Sequence, residues 1–285
     1  MTFDHIRPSS IGEAVRLLER EGPDAHLIAG GSAFMLLYKQ GLIRPRVVIG
    51  LDDIGELRGI RPDTDGGLWI GAMSTHRELE RSAAVRDYCP ALAVAFASIA
   101  TIRIRNQATI GGNLAHADPA QDPPPMLMAL GAAIEITGPN GARTSPVDEL
   151  FVDVLETSLA PSEVITGIRL PALAERTVAT YLKFLPRTED DYATVSVAAR
   201  VRLDDDGRCS DLAVCLGAAG PTPIRARLVE AALSGEHPTA ERIASAAALV
   251  RDEVDPFDDL RGSASYKRDM AVVHVRRALT SLLAS

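Results

Sequence analysis

The beginning of the chain alternates amphipathic and apolar segments. Apolar residues recur at helical spacing between Ser10, which suits a helix N-cap, and Gly22, which suits a helix end, so a helix is predicted over residues 11–21. Residues 26–29 form a short apolar run with the length of a buried strand. A second apolar helix is predicted to follow, with Ser32 as its N-cap.

The middle of the chain combines hairpin signals with helix signals. The run Asp63-Thr-Asp-Gly-Gly67 separates two apolar segments and predicts a hairpin. Thr75 and Glu78 form a capping box that opens a helix, on which His76 is predicted to be an exposed surface residue. A further helix, rich in small apolar residues, is predicted over residues 91–100.

The C-terminal part of the chain has a different pattern. Three strands are predicted from alternating β-branched residues, over residues 178–185, 193–203 and 212–216. Three helices are predicted after them, over residues 225–233, 239–251 and 264–283. This pattern is typical of a small antiparallel sheet backed by helices, and the domain boundary is predicted within residues 171–176.

The composition is that of a folded protein and limits its partners. Hydrophobic residues make up 46% and charged residues 24% of the 285 residues, which is ordinary for a globular chain. The formal net charge of -8 weighs against nucleic acid and against anionic membrane surfaces as partners. No apolar run is long enough to span a bilayer, so we expect no integral membrane segment and a cytoplasmic location.

The cysteines and acidic residues do not form a metal-binding pattern. Cys89, Cys209 and Cys215 lie far apart and lack the spacing of a zinc or iron–sulfur ligand set. They are predicted to be buried thiols, and the acidic run 204–206 is predicted to be a solvated turn. No metal bound by this chain is therefore expected.

Two glycine pairs have the sequence context of an anion-binding segment. Gly30 and Gly31 lie between a predicted strand and a predicted helix, where free N–H groups and the helix dipole attract a phosphate. Gly111 and Gly112 are expected to take positive φ and turn successive N–H groups inward, although one such pair alone is more typical of an ordinary turn. Neither pair matches the Rossmann or Walker pattern. Together they favour a clamp around the diphosphate of a dinucleotide.

The glycine segments and several C-terminal motifs resemble one known family. Ala29-Gly-Gly-Ser32, together with Thr109-Ile-Gly-Gly-Asn113 and the segment Asn113-Leu-Ala-His-Ala-Asp118 that continues to Asp122, resembles the FAD-binding medium subunit of the molybdenum hydroxylases. This is the group of xanthine dehydrogenase and aerobic carbon monoxide dehydrogenase. The C-terminal motifs Tyr181-Leu-Lys-Phe184 and Tyr266-Lys-Arg268 are similar to the same family.

The resemblance implies a fold. The expected fold class is α+β, with an FAD-binding domain of the vanillyl-alcohol-oxidase (PCMH) type over residues 1–175, made of α+β subdomains at about 1–55 and 56–175. A small α+β domain is expected over residues 176–285, similar to the carbon monoxide dehydrogenase flavoprotein C-terminal domain, with a three-stranded antiparallel sheet and helices.

The resemblance also implies a set of cofactor-binding residues and no catalytic side chain. Both glycine segments would hold the FAD diphosphate, and Asp122 would face its ribose or adenine end. Ile165 and Lys183 would contact the flavin, and Tyr192 would lie beside the isoalloxazine ring. The full implied set is Leu27, Ile28, Ala29, Gly30, Gly31, Ser32, Ala33, Phe34, Ile99, Ala100, Thr109, Ile110, Gly111, Gly112, Asn113, His116, Asp118, Asp122, Ile165, Lys183 and Tyr192.

The implied function is electron transfer within a complex. The family places the molybdenum cofactor on a large subunit and two [2Fe-2S] clusters on a small subunit, in a heterotrimer or a dimer of heterotrimers. Electrons would pass from those clusters through FAD on this chain to an external acceptor. The cysteine count agrees, since eight thiolate ligands cannot come from three cysteines.

Two other functions stay open at this point. One is a stand-alone flavin oxidoreductase of the same fold, which would need its own substrate pocket and acid–base residue. The other is a structural subunit that has lost flavin, against which the intact glycine pairs count.

Overall fold

The computed structural model of the protein describes residues 3–185, 187–188 and 190–283 and distributes most strands among three sheets. The first unit contains a parallel three-stranded sheet and two helices. Its elements are β1 (Asp4–Ile6), α1 (Ile11–Glu21), β2 (Ala25–Ile28), α2 (Ser32–Lys39) and β3 (Val47–Gly50). The strand order is β1-β3-β2, and α2 makes the crossover between the parallel neighbours β2 and β3.

The second unit is an antiparallel five-stranded sheet covered by short helices. Its elements are β4 (Ile60–Pro62), β5 (Leu68–Gly71), α3 (His76–Arg81), α4 (Ala83–Tyr88), α5 (Pro90–Ala97), α6 (Ile102–Arg105), α7 (Ile110–His116), α8 (Pro123–Ala129), β6 (Ala133–Gly138), β7 (Gly141–Pro146), β8 (Phe151–Asp153), β9 (Glu156–Thr157) and β10 (Val164–Leu170). The strand order is β4-β5-β10-β6-β7, and β8 pairs with β9 separately.

The third unit is a four-stranded antiparallel sheet followed by helices. Its elements are β11 (Thr177–Phe184), β12 (Val195–Leu203), β13 (Cys209–Gly217), β14 (Ile224–Arg225), α9 (Arg227–Leu233), α10 (Ala240–Leu249) and α11 (Ala264–Leu283). The three predicted strands are confirmed, and the two-residue strand β14 adds a fourth at the edge. The α+β fold class is confirmed in all three units.

Both faces of the third sheet are buried. Val197 and Ala199 of β12 pack into a core with α9, α10 and α11, whereas Ala198 between them packs into the core of the second unit. In β13, Leu212 packs into the core with the helices and Ala213 packs into the core of the second unit. Successive side chains of a strand point to opposite faces, so this sheet joins two cores.

Several predicted helix ends differ from the structure. The helix over residues 11–21 has the predicted bounds, with Ser10 as its cap. The N-cap of α2 is Gly31 rather than Ser32, because the left-handed backbone at Gly31, with a φ of 73°, turns the chain into the helix. The helix α5 ends at Ala97, and Ala100 lies beyond it with a φ of 39°. No helix in the described ranges is long and apolar enough to cross a membrane.

The two predicted glycine pairs lie at close backbone contacts. A Cβ atom on Gly30 would lie 1.8 Å from the carbonyl oxygen of Gln107, and a Cβ on Gly111 would lie 2.7 Å from the Cβ of Ala72. Neither position has room for a side chain. Gly30 therefore allows the segment after β2 to pack directly on the segment before α7, and Gly111 allows α7 to pack on the segment after β5.

Gly30→Ala is expected to lower the free energy of unfolding by about 3 kcal/mol, because the backbone at Gln107 must move to admit the methyl group. The control is Gly55→Ala, since nothing lies within 4 Å of a Cβ there. That variant should change the free energy of unfolding by less than about 1 kcal/mol. Urea unfolding monitored by circular dichroism measures both. Equal effects of the two substitutions would contradict the close contact at Gly30.

Candidate cofactor-binding site

A cavity of about 560 Å³ lies where the three units meet. Its walls come from the segment linking β2 to α2, from the segments around α5, α6 and α7, and from β10 and β11. Cavities of this size are typical of small-molecule and cofactor sites. The cavity is therefore the candidate site for the dinucleotide predicted from the glycine pairs.

The first glycine segment presents the N-terminus of α2 to this cavity. Gly31, Ser32 and Ala33 all line it. The first backbone hydrogen bond into the helix is donated by the Met35 amide to the Gly31 carbonyl oxygen, at 2.9 Å. The amides of the preceding first turn have no acceptor within the helix, and the helix dipole places positive charge at this end. The segment is thus suited to bind an anionic group, as predicted.

The second glycine segment has a different backbone from the predicted one. Gly111 and Gly112 lie in the first turn of α7 and not in a loop with positive φ, so that expectation was wrong. The Thr109 hydroxyl accepts a hydrogen bond from the Gly112 amide at 3.2 Å and caps the helix. The Gly111 amide donates to the Ala72 carbonyl oxygen at 2.8 Å. The Gly112 amide is thus satisfied by Thr109 and the Gly111 amide by the segment after β5, so here glycine serves close packing.

Five residues around the cavity carry buried polar atoms without a hydrogen-bond partner in the described chain. They are His26 (Nδ1), Ser32 (Oγ), His76 (both ring nitrogens), Asn113 (Oδ1) and Gln121 (Oε1). Buried polar groups in folded proteins are almost always hydrogen-bonded, because an unmade bond costs about 1–3 kcal/mol. The convergence of these atoms on one cavity indicates a ligand rich in hydrogen-bonding groups.

A buried ion pair lies at the edge of the cavity next to the third sheet. Lys183 donates from Nζ to Asp122 Oδ2 at 3.0 Å and to the Ser98 carbonyl oxygen at 2.8 Å. Tyr181, two residues earlier on the same face of β11, donates its hydroxyl to Asp122 Oδ1 at 2.5 Å. Burial raises the pKa of Asp122, while the Lys183 charge and the Tyr181 hydroxyl act in the opposite direction. The assignment of Asp122 to the ribose or adenine end stays a prediction, since both its oxygens bond to protein side chains.

The turn that carries Ile99 and Ala100 is held by one arginine. Arg105 donates from Nη1 to the carbonyl oxygens of Ile99 and Ala100 at 2.8 and 2.7 Å. Its Nε donates to the carboxylate of Glu80 at 3.0 Å. Ile99 and Ala100 line the cavity from this turn and not from a helix, and their contact with a cofactor stays a prediction.

Most of the predicted site residues lie around the cavity. All of the predicted set line it except Ile110 and Asp118. Ile110 is fully buried in the core of the second unit, and the Asp118 carboxylate accepts a hydrogen bond from the Ala120 amide at 2.9 Å. Tyr192 lines the cavity with 45% of its surface exposed.

The sequence prediction missed several residues of the wall. His76 was expected on the surface but is fully buried, because its ring packs on Phe96 at a centroid distance of 5.9 Å. The capping box of Thr75 and Glu78 is confirmed, yet it fixes only the start of α3. His26 and Met73 also line the cavity, and no local motif in the sequence distinguishes them. In the described part of the chain, no three His, Cys, Asp or Glu residues are grouped as metal ligands.

The chain is similar to known proteins over nearly its full length. The family model described as "FAD binding domain in molybdopterin dehydrogenase" matches residues 1–173, and the one described as "CO dehydrogenase flavoprotein C-terminal domain" matches residues 180–282. The chain is 38% identical to the carbon monoxide dehydrogenase medium chain of Hydrogenophaga pseudoflava over 279 residues, which cover 98% of this chain and 96% of that protein.

Two further comparisons agree with the first. The chain is 34% identical to 6-hydroxypseudooxynicotine dehydrogenase complex subunit alpha of Paenarthrobacter nicotinovorans, covering 99% of this chain and 95% of that protein. A solved structure of the H. pseudoflava carbon monoxide dehydrogenase lacking the Mo-pyranopterin moiety superposes with a TM-score of 0.96 at 39% identity, covering 100% of this chain and 98% of that one.

Tyr181→Phe is expected to lower the free energy of unfolding by about 1–2 kcal/mol, because the buried Asp122 carboxylate loses a hydrogen-bond donor. The matched control is Tyr266→Phe, whose ring is 42% exposed and which should change the value by less than about 0.5 kcal/mol. Chemical denaturation of both variants measures the difference. A Tyr181 variant as stable as the wild type would show that the hydroxyl does not stabilise Asp122.

Proposed function

Because the chain belongs to the family of FAD-binding flavoprotein subunits of molybdopterin dehydrogenases, we propose that it binds FAD as the electron-transfer subunit of a molybdenum hydroxylase complex. The observation that carries the proposal is the set of unpartnered buried polar atoms around one cavity, which opens at the N-terminus of α2. FAD offers a diphosphate, ribityl and ribose hydroxyls, and heterocyclic nitrogens and carbonyls to such a set.

The diphosphate is assigned to the N-terminus of α2. The amides of Ser32 and Ala33 supply uncharged donors, and the helix dipole supplies positive potential. Gly30 lets the preceding segment pack on Gln107, and the left-handed backbone of Gly31 turns the chain into the helix, while Asn113 lines the cavity from α7. The second glycine pair contributes by packing, because Gly111 lies against Ala72 and Gly112 against Ala29, which holds α7 on the segments after β5 and β2.

The flavin is assigned to the end of the cavity near the third sheet. Ile165 of β10 offers an apolar surface there, and Lys183 is held in a fixed position by Asp122 and Ser98. Tyr192 covers the cavity on its exposed side. FAD, when bound, supplies the ability to accept electrons singly and to deliver them in pairs. The chain itself binds and orients this group and limits access of water to it.

The remaining chemistry is assigned to partner subunits. The relatives are named as a medium chain and as a subunit of a complex. We place the molybdenum cofactor on a large partner and two [2Fe-2S] clusters on a small partner, in a heterotrimer or a dimer of heterotrimers. Electrons pass from those clusters to this chain and then to an external acceptor. All three cysteines are free buried thiols, which agrees with a reducing cytoplasmic compartment.

Specific features disfavour the two other functions. A stand-alone flavin oxidoreductase does not account for the match to the CO dehydrogenase flavoprotein C-terminal domain over residues 180–282. A subunit that had lost flavin would be under no constraint to keep unpartnered polar atoms around a cavity, because each of them costs stability.

The first test is the flavin content of the full chain, expressed alone and together with its neighbouring reading frames. We expect a yellow protein with a flavin absorbance spectrum and copurification of two further subunits. A protein that stays colourless with added FAD in both preparations would contradict the proposal. A yellow monomer that oxidises substrates unaided would favour the stand-alone enzyme.

The second test places a negative charge at the proposed diphosphate site. Ser32→Asp should lower FAD affinity at least about 100-fold through like-charge repulsion. It should not destabilise the FAD-free chain, because an acidic residue in the first turn of a helix is favourable.

The matched control is Ser32→Asn, which is similar in shape to Asp but neutral and should lower FAD affinity less than about tenfold. Fluorescence titration of the FAD-free chain gives the affinities, and thermal unfolding reports its stability. Wild-type affinity in the Asp variant would mean that the diphosphate does not bind at α2.

A further inference from the structure

Tyr192 lies at the rim of the cavity rather than in its depth. It lines the cavity while 45% of its surface stays exposed. Partial burial and the nearby carboxylates of Asp118 and Asp122 raise the pKa of its hydroxyl to about 12, so the side chain is neutral. Asp122 also bonds to Lys183. The Tyr192 ring therefore lies at the end of the cavity that is assigned to the flavin.

The Tyr192 ring is contacted by an arginine from a distant part of the chain. The guanidinium carbon of Arg261 lies 5.4 Å from the ring centroid, which is within the range of a cation–π contact. Tyr192 belongs to the segment between β11 and β12, whereas Arg261 belongs to the segment between α10 and α11. Arg261 thus contacts the rim residue from outside the cavity wall.

A tight turn fixes the backbone of Arg261. The amides of Asp259 and Gly262 each donate to the carbonyl oxygen of the other, at 3.1 and 3.2 Å. Within this turn, the Arg261 amide donates to Asp259 Oδ1 at 2.8 Å, and Arg261 Nη1 lies 3.2 Å from Asp259 Oδ2. The Arg261 carbonyl oxygen accepts a hydrogen bond from the Thr194 hydroxyl at 3.4 Å. Because Thr194 is only two residues from Tyr192, the turn and the ring are tied to the same segment.

A buried lysine anchors the turn to α11. Lys267 is 2% exposed, and its Nζ donates to the Phe257 carbonyl oxygen at 2.9 Å and lies 2.9 Å from Asp259 Oδ1. A buried ammonium group that loses its partner is strongly unfavourable, so Lys267 holds Asp259 in place. Asp259 in turn binds the guanidinium group of Arg261. This network determines where the positive charge lies beside Tyr192.

We propose that Arg261 is a positioning residue, which holds the Tyr192 ring over the flavin end of the cavity and thereby slows release of the cofactor. This inference rests on the proposed function, because it assumes that FAD occupies the cavity. Arg261 itself does not touch the cofactor and acts through Tyr192. The turn at residues 259–262 thus gives the segment before α11 a part in cofactor retention.

The test is Arg261→Met in the full chain loaded with FAD. Methionine keeps an unbranched side chain and the backbone bonds to Asp259 and Thr194, but it removes the charge. A cation–π contact at an exposed site changes an equilibrium about two- to fivefold, so FAD should leave this variant about two- to fivefold faster than the wild type. Flavin fluorescence after rapid dilution measures the rate of release.

A double-mutant cycle separates positioning from a general effect on the fold. Tyr192→Leu removes the ring and should speed the release of FAD by itself. In that background, Arg261→Met should cause no further change, because no ring is left to hold. An arginine that only stabilises the fold would instead speed release equally in both backgrounds.

Conservative variants and a matched control make the result specific. Arg261→Lys keeps a cation and Tyr192→Phe keeps an aromatic ring, so each should release FAD more slowly than the Met and Leu variants at the same positions. Arg268→Met is the control, because Arg268 pairs with Asp255 at 3.1 Å and is exposed to a similar extent, 35% against 32% for Arg261. Its release rate should stay within about 1.5-fold of the wild type.

Release of FAD from the Arg261→Met variant within about 1.5-fold of the wild-type rate would overturn the inference, as would equal effects in the two Tyr192 backgrounds. If the Met variant does not fold, Arg261→Gln is judged by the same measurements. Failure of the wild-type chain to bind FAD at all would instead contradict the proposed function, so the two outcomes are distinguishable.

Discussion

Close packing against the bare backbone of Gly30 and Gly111 is the constraint on which the rest of the structure depends. Gly30 lies against the carbonyl of Gln107, and Gly111 lies against Ala72, at separations that exclude even a methyl group. The first contact brings the first unit and the second unit together, with the N-terminus of α2 facing the cavity, and the second contact packs α7 on the segment after β5. Gly30 thus seats the segment before α2 on the second unit, and the left-handed backbone of Gly31 then turns the chain into the helix whose first amides line the cavity. Packing and the proposed binding therefore depend on adjacent residues.

The third unit completes the site through a small buried network. Tyr181 and Lys183 lie on one face of β11 and both bond to Asp122, the residue preceding α8. Lys183 also bonds to the carbonyl oxygen of the C-cap residue that follows α5. Separation of the units would leave the Asp122 carboxylate and the Lys183 ammonium group without partners, which is strongly unfavourable in a buried place. The network thus fixes the position of the third sheet relative to the cavity.

Local sequence signals predicted the elements well and the directions of side chains poorly. The helix α1, the strands of the third sheet and the adjacency of the two glycine segments follow from spacing, capping residues and family resemblance. The backbone of Gly111 and the burial of His76 do not, because each is decided by a distant partner, Ala72 in one case and Phe96 in the other. The capping box at Thr75 defined where α3 begins but carried no information about which face turns inward. The roles of individual residues toward FAD stay predictions.

The burial of both faces of the third sheet has a consequence for synthesis of the chain. As the protein emerges from a ribosome, the second unit is complete before Ala198, Ala213 and the helix α11 are available to cover it. Its apolar face must therefore remain exposed until the C-terminal strands arrive, and those strands cannot bury their own opposite face until α11 is made. We therefore expect nascent chains of this protein to bind chaperones late in translation. We also expect the two parts of the chain to stay together in evolution, because neither part buries its apolar face without the other.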